Sequence, residues 1–366
     1  MFTHVNGRFV RVNTLKTTLA DTIAYLITSH NFTQVFPPST STNVITPLAP
    51  RTFTLDPHLP NVLHLPSKTN LHGDDFVESG KLIMQDRSSC LTAIALSPPA
   101  GSVCIDTCSA PGNKTLHLAS IIKEGKIIAF ERSPSRLNTL KQRVRHHGAG
   151  HIIAEIGADF TETSIDDQMF KDVTHILIDP SCSGSGLVTG IEANGEAVSE
   201  HDSGGSDPNL PTLTMNQLGI INHAMRLPKA KAVAYSTCSV YKEENEEVVA
   251  SILKSNPDWE CVECLPQWPH RGLEDDEFKD FASKVVRATY EKDTTNGFFV
   301  ARFEKKEGGG EMTEEQELKA KKKREKKEKK EKKKRKAEEE GEEEGEKKVK
   351  KVKKSKKEKK AKKEKT

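Results

Sequence analysis

No stretch of this 366-residue chain is apolar for the roughly 20 residues that a membrane-spanning helix needs, and the opening MFTHVNGRFVRV lacks the layout of a secretory signal. A soluble protein with no membrane partner is expected. Cysteine is sparse: seven residues spread over the whole length argue for free thiols in a reducing compartment rather than a disulfide framework. Neither the glycine spacing of a dinucleotide fingerprint nor that of a phosphate loop is present. The His-x-Glu and Pro-Cys-x-x-Cys pair of zinc cytosine deaminases is also missing. Aromatic residues stop at Phe303. From Glu304 to Thr366 the chain is nearly all lysine and glutamate, too poor in apolar surface to offset its ordering entropy, and a disordered Lys/Glu-rich tail is expected there.

That tail holds 29 Lys and Arg against 18 Asp and Glu, which leaves 27 basic and 35 acidic residues, a formal −8, in residues 1–303. A body of that sign can grip nucleic acid only through a local basic patch. The segment Lys321 to Lys336 fits a nuclear or nucleolar address and a sequence-blind contact with RNA. A solvated solubility tail is the blander alternative.

Three regions follow from texture. In residues 1–80, Arg8 to Lys16 reads as a strand and TLADTIAYLITSHN as an amphipathic helix. The Pro-, Thr- and Asn-rich remainder from Phe36 to Gly80 predicts a loop-dominated small domain or connector. Residues 81–303 alternate short apolar runs with helical stretches, the pattern of a parallel sheet wrapped by helices. Strands are predicted at Ser102 to Asp106, Lys126 to Phe130, His151 to Glu155, Thr174 to Asp179 and Ala230 to Tyr235. Helices are predicted at Lys114 to Lys123, Pro134 to His147, Thr214 to Arg226 and Glu243 to Ser255. Val285 to Tyr290 and Phe298 to Phe303, flanking Asn296-Gly297, should pair as an antiparallel edge. Glu192 to Leu210 reads as a mobile acidic insertion, and residues 304–366 are the tail. The fold class is α/β, a Rossmann-type, doubly wound and mostly parallel sheet with an antiparallel edge. Such sheets bind ligands beyond the carboxyl ends of their strands.

After the first core strand, Asp106-Thr-Cys-Ser-Ala-Pro-Gly-Asn-Lys114 is a turn of small residues opening a helix, where backbone N–H groups can approach a ligand and a helix N-terminus favours a carboxylate. The second strand ends at Glu131, where a ribose diol lies in Rossmann-type sites, and Asp159 follows the third. Each acid alone is more often a cap or a solvated group. Together with the turn they point to S-adenosylmethionine rather than NAD. The fourth and fifth strands deliver Asp179-Pro-Ser-Cys182-Ser-Gly-Ser-Gly186 and Tyr235-Ser-Thr-Cys238-Ser239. Two free cysteines past neighbouring strands would face one pocket. Cytosine C5 is a poor nucleophile; a thiolate that adds to C6 makes an enamine able to attack a methyl sulfonium. Asp179 could share a proton with N3 and the exocyclic amine, and Cys182 or an ordered water could help release the product. Buried structural cysteines are the competing reading.

The strings QDRSSC (Gln85 to Cys90), DTCSAPGNKT, DPSCSGSG and YSTCS, followed by Glu243-Glu-Asn245, resemble the Sun-type RNA 5-methylcytosine methyltransferase family. RVNTLK (Arg11 to Lys16), LPQWPHRGL and NGFFVARF are similar to its branch acting on large-subunit ribosomal RNA. The resemblance spans about residues 8–303 and implies a Rossmann-type methyltransferase core behind a small N-terminal RNA-binding region. It implies that Cys108, Ser109, Ala110, Pro111, Gly112, Asn113 and Lys114 cradle S-adenosylmethionine, with Glu131 on its ribose, Arg136 nearby, Asp159 beside its adenine and Asp179 close to the methyl group. It further implies that Cys238 is the nucleophile and Cys182 the release cysteine. Glu131 stands where the family has Asp, and Ser181 replaces the second proline of Pro-Pro-Cys; neither change removes the needed chemistry. Because the chain begins almost at RVNTLK, a fuller N-terminal helical region is expected to be missing.

RNA contacts are expected from Arg8, Arg11 and Lys16, with Arg132, Arg136, Lys141, Arg143 and Arg145 as a second basic cluster; a solvated helix face is the alternative for the second. The target cytosine must be presented unstacked. Cys261 and Cys264 lack the second ligand pair of a zinc site, so they read as a surface strand with no metal. The expected partners are large-subunit ribosomal RNA or pre-ribosomal particles, met by a monomer in the nucleolus. A non-catalytic ribosome-assembly factor, or the same chemistry on transfer RNA, are the alternatives.

Overall fold

The computed structural model describes residues 7–36, 47–191, 197–199 and 207–306. The tail from residue 307, and residues 192–196 and 200–206 of the expected acidic insertion, lie outside the described residues.

The chain opens with β1 (Arg8–Val12), α1 (Leu19–His30), β2 (Thr33–Gln34), β3 (Thr52–Leu55), β4 (Val62–Leu65), α2 (Asp75–Glu78) and β5 (Leu82–Met84). Thr18 caps α1 by accepting from the Asp21 N–H, and Asn31 ends it in the left-handed region that terminates helices. The five strands form one sheet in the order β2-β3-β4-β1-β5. Val10, Val12, Leu26, Phe53, Leu63, Leu65 and Leu82 pack as its own core. The expected loop-dominated connector is therefore a folded sheet layer. Its strands β3 and β4 are only four residues each, set among Pro and Asn turns, and so carry little periodic signal. β5 lies beyond residue 80 and pairs with β1, so this sheet reaches past the expected boundary.

The rest comprises α3 (Leu91–Leu96), β6 (Val103–Asp106), α4 (Asn113–Ile122), β7 (Lys126–Phe130), α5 (Pro134–His146), β8 (Ile153–Ile156), β9 (His175–Ile178), β10 (Val188–Ile191), β11 (Ala197–Ser199), α6 (Leu210–Met225), β12 (Ala232–Thr237), α7 (Glu246–Ser255), β13 (Trp259–Val262), β14 (Val286–Ala288), α8 (Tyr290–Asp293) and β15 (Phe298–Lys305). The large sheet runs β13-β15-β12-β9-β6-β7-β8, with β14 also on β15. Strands β12, β9, β6, β7 and β8 are parallel, and β15 is antiparallel to its neighbours. The predicted β14–β15 pairing is present, but β15 is interior, held between β12 and β13.

Alternation along each parallel strand feeds two cores. Ile105, Ile128, Ile176, Ile178, Val233 and Tyr235 face one helix layer; Cys104, Ile127, Leu177, Ala232 and Ala234 face the other. Each fully buried aliphatic side chain is worth about 1.5–3 kcal/mol. Strand order reverses between β6 and β9, and a doubly wound sheet opens a crevice at that reversal.

Two buried arginines fasten the small sheet to the large domain. Arg11 donates to Gln85 Oε1 at 2.8 Å and to Ser120 Oγ on α4 at 3.3 Å. Arg87 pairs with Asp56 at 2.5 Å, donates to the Asp293 carbonyl at 2.7 Å and lies over the Trp268 ring.

Candidate active site

β6 ends at Asp106, and the chain turns through Cys108 to Gly112 into α4. Asp106 is buried and accepts from the Cys108 N–H at 3.2 Å and Thr115 Oγ1 at 2.7 Å. Burial pushes its carboxyl up to about 6, against the Thr115 hydrogen bond and with the Asp179 charge adding to the rise. The Ser109 N–H meets the Phe130 carbonyl at 2.9 Å, and Arg136 donates to the Ala110 carbonyl at 2.6 Å. Gly112 has φ +109°, a region only glycine adopts without strain, and a Cβ there would lie 3.0 Å from Leu140. Pro111 lies between these anchors, and Arg143 bonds the Asn113 side chain that opens α4. The turn is a fixed cradle of small residues at a helix N-terminus.

Glu131 follows β7. It is 4 % exposed, accepts from the Ser133 N–H at 2.8 Å and stands 3.5 Å from Arg136. Asp159 follows β8 and accepts from the Thr161 N–H and hydroxyl at 2.9 and 2.7 Å, with Arg132 at 3.4 Å. Burial opposes its charge, yet the Thr161 bonds and Arg132 bring its carboxyl below the usual value. The cradle, Glu131 and Asp159 thus stand at the carboxyl ends of three adjacent strands.

Asp179 follows β9 and Cys238 follows β12, its neighbour in the sheet. The Cys182 and Cys238 sulfurs are 3.3 Å apart, close enough to share a proton and too far for a disulfide bond. Asp179 accepts from Ser236 Oγ at 2.6 Å with one oxygen and meets Lys114 Nζ at 2.8 Å with the other. Burial works against the Lys114 ammonium, but the Asp179 charge and hydrogen bond, with Cys238 beyond, raise its pKa above the ordinary lysine value. The hydrogen bond from Cys182 draws the Cys238 thiol below its usual value, with help from Lys114 and against burial and Asp179. The same contact, with burial, holds the Cys182 proton well above. Burial pushes Cys90, Cys104, Cys108, Cys261 and Cys264 up to about 12 each. Cys238 is the one cysteine whose thiol is drawn below its ordinary value, the direction that favours a nucleophile.

The sequence pattern missed several groups around this centre. Asp106 was visible only as part of the turn. Ser236 braces Asp179, and Asn245 accepts from Thr237 Oγ1 at 2.5 Å while donating to the Ser239 carbonyl at 2.9 Å. Glu244, 0 % exposed, receives the Ser183 N–H and hydroxyl. The Glu-Glu-Asn run next to Cys238 was the available signal.

Part of the expected RNA surface is not surface. Arg11 is 1 % exposed, and burial lowers its pKa to about 10. It is an internal fastener, because alternation along β1 turns it toward α4. Arg143 is half-buried against Asn113, whereas Lys16 is exposed, its ammonium donating to the Ser79 and His146 carbonyls at 2.8 and 2.6 Å. Arg132, Arg136 and Arg145 are exposed, whereas Arg8 and Lys141 are half-buried. The expected surface strand at Cys261 is an edge strand whose Trp259 and Cys261 point into the core. Among the described residues no group of three metal-ligating side chains assembles, and no helix is long and apolar enough to cross a membrane.

Comparison with known proteins places this geometry. Residues 93–304 match the family model of the 16S rRNA methyltransferase RsmB/F, and residues 6–85 that of the ferredoxin-like domain of NOL1/NOP2/Sun domain family member 5. The chain belongs to the Sun-type family of RNA methyltransferases. It is 41 % identical over 304 residues to a Mus musculus 28S rRNA (cytosine-C(5))-methyltransferase, covering 82 % of this chain and 63 % of that one. A Caenorhabditis elegans 26S rRNA (cytosine-C(5))-methyltransferase is 35 % identical over 81 % of this chain and 67 % of its own length. The chain spans 62 % of a Schizosaccharomyces pombe 25S rRNA (cytosine-C(5))-methyltransferase. Among solved structures, PH0851 superposes with a TM-score of 0.65 at 25 % identity over 82 % of this chain and 60 % of that one. A methyltransferase homolog protein from Pyrococcus horikoshii gives 0.63 at 22 %, over 82 % and 87 %, a likeness of fold. The Rossmann-type core expected from the sequence is thus the observed one, joined to a ferredoxin-like domain.

Proposed function

We propose that this chain is an S-adenosylmethionine-dependent RNA cytosine-C5 methyltransferase acting on large-subunit ribosomal RNA. The observation that carries the reading is the thiol pair 3.3 Å apart beside the Asp179–Lys114 ion pair. The three strand ends suit the cofactor's chemistry: Glu131 can accept from a ribose diol, Asp159 can face an adenine, and the Cys108 to Lys114 cradle with Arg136 can hold an amino-acid moiety. When bound, the cofactor supplies an electrophilic methyl group on a cationic sulfur.

The chain's own residues do the remaining work. Cys238 attacks cytosine C6 as a thiolate, which moves electron density to C5. Asp179, steadied by Ser236 and Lys114, faces the cytosine's N3 and amine and stabilises the charge that develops there. Once Cys182 has released its own proton to solvent, its thiolate is a strong base that takes the C5 proton; the electron pair of that C–H bond re-forms the C5–C6 double bond and the Cys238 sulfur departs as a thiolate. The relatives' names support a large-subunit substrate. The exposed Arg132, Arg136 and Arg145, and the tail, are the cations proposed to meet phosphate and to direct the protein to the nucleolus. Bisulfite sequencing of total RNA from cells with and without the protein tests the reading. A single protected cytosine in large-subunit RNA that depends on Cys238 is expected; no dependent cytosine in any RNA overturns it.

A further inference from the structure

Glu244 is a carboxylate sealed from solvent whose hydrogen-bond partners among the described residues are neutral groups, with no cation paired to it. Such burial is costly unless hydrogen bonds satisfy the charge. Here every contact is a donor: the Ser183 N–H at 3.1 and 3.2 Å, Ser183 Oγ at 2.6 Å and Gln217 Nε2 at 2.8 Å. Gln217 Nε2 also reaches the Ser181 carbonyl at 3.2 Å. Glu244 therefore holds one chain neighbour of Cys182, Ser183, directly and the other, Ser181, through Gln217. Its own backbone is fixed by the Tyr235 hydroxyl, which donates to the Glu244 carbonyl at 2.6 Å.

From Ser183 the network crosses to the other cysteine. The Ser183, Ser185 and Ser239 hydroxyls lie within 3.0–3.2 Å of one another. Ser185 Oγ receives the Val240 N–H at 3.0 Å, and the Gly186 N–H donates to the Cys238 carbonyl at 2.9 Å. An acceptor-only carboxylate orients the first hydroxyl, which orients the other two, and the two cysteine-bearing loops are clasped at one distance.

We propose that Glu244 is a positioning residue which, through Ser183 and Gln217, sets the separation of the Cys182 and Cys238 sulfurs and so controls the proton they share. The consequence for catalysis rests on the function proposed above; the geometry does not. A sulfur–sulfur hydrogen bond weakens with small increases in length, so a loosened clasp leaves the Cys238 thiolate without its donor. The charged groups that face Cys238 otherwise, Asp179 just past β9 and Lys114 on α4, would keep their own contacts. Tyr235 faces Cys182 from β12 and is unaltered by the variants below.

The test is the pH dependence of iodoacetamide alkylation at Cys238 in the full chain, read by peptide mass spectrometry, for the parent, Glu244→Gln, Ser183→Ala and Cys182→Ala. An amide keeps one oxygen for the Ser183 and Gln217 N–H groups but turns its NH2 toward the Ser183 hydroxyl, reversing that bond and the orientation it passes to Ser185 and Ser239, so Glu244→Gln should raise the midpoint by about one pH unit, the scale of a lost hydrogen bond to a charged group. Alkylation below the midpoint should then be about tenfold slower. Cys182→Ala sets the upper limit, and Ser183→Ala replaces Glu244→Gln should the latter not fold. A midpoint equal to or below the parent's in the folded variant overturns the proposal. Failure of the parent to methylate RNA would overturn the proposed function, while the alkylation profile still decides the clasp.

Discussion

Replacing Arg87 by methionine should cost a large share of the folding stability. The Arg87 and Asp56 side chains are both 0 % exposed and meet at 2.5 Å. Methionine keeps much of the arginine stem's volume against Trp268 but leaves the Asp56 carboxylate buried with the His58 and Leu59 N–H groups at 2.9 and 3.0 Å. Breaking a buried ion pair from one side costs about 3–5 kcal/mol, against a typical total of about 5–15 kcal/mol. At roughly 2–4 °C per kcal/mol, the melting temperature should fall by about 10 °C. Asp56→Asn combined with Arg87→Met removes the stranded charge while keeping an acceptor for both N–H groups, and should regain at least half of the loss. Trp268 lies 4.6 Å from the guanidinium, so its fluorescence during urea unfolding reports the region directly. A single variant within about 1 kcal/mol of the parent, or a double variant no more stable than the single, would refute the argument that the ion pair fastens the two sheets.

The two active-site cysteines should show opposite phenotypes. Cys238→Ala should form no covalent RNA adduct and transfer no methyl group, whereas Cys182→Ala should accumulate an adduct stable to denaturing electrophoresis; an adduct in Cys238→Ala that is lost in Cys182→Ala would reverse the assigned roles. Asp106 titrates higher in the folded state, about 6 against an ordinary 3.8, so the folded protein binds the extra proton and stability falls as pH rises from about 4 to 6. That movement ties about 3 kcal/mol to its protonation, and Asp106→Asn should flatten the decline in denaturant titrations across this window; an equal slope in the variant would show that another group is responsible. Removing residues 307–366 deletes 27 basic and 17 acidic residues while sparing β15 and the Lys306 N–H bond to Asp258. Filter-binding should show weaker RNA affinity and a shallower dependence on salt, and an unchanged slope would mean that this segment does not touch RNA.

How far the sequence could be read depended on how each element earns its burial. Strands sealed on both faces must be continuously apolar, so KIIAF and HILI stand out, and β7 and β9 lie where they were expected. Chemistry in this architecture follows the strand ends, which made Glu131, Asp159, Asp179, Cys182 and Cys238 legible from spacing as candidates. The small sheet was less legible because β3 and β4 are short and β2 has two residues; their burial arises from pairing across long separations, which no local period reports. Glu244 was hidden for a different reason. A Glu-Glu-Asn run before an amphipathic helix is an ordinary helix start, and only the fold shows that this carboxylate turns inward to Ser183.

The same distinction governs the basic residues, and it narrows how RNA could reach the site. Arg11, Arg87 and Arg143 make their contacts inward, to Gln85, Asp56 and Asn113, so they contribute alignment of the two sheets and of the turn that opens α4 rather than attraction for phosphate. Residues 1–303 remain a net −8, and a phosphate backbone would be repelled except where exposed cations cluster. Arg132 and Arg136 are such cations, and both adjoin acids at the strand ends, Asp159 and Glu131. On the proposed function, RNA meets exposed cations at the rim of the cofactor crevice, each partly offset by its neighbouring acid, within the same row of strand ends as Cys238. Attraction placed there favours delivery of an unstacked base over binding along the whole body, because phosphate contacts position a nucleic acid while the pocket selects the base.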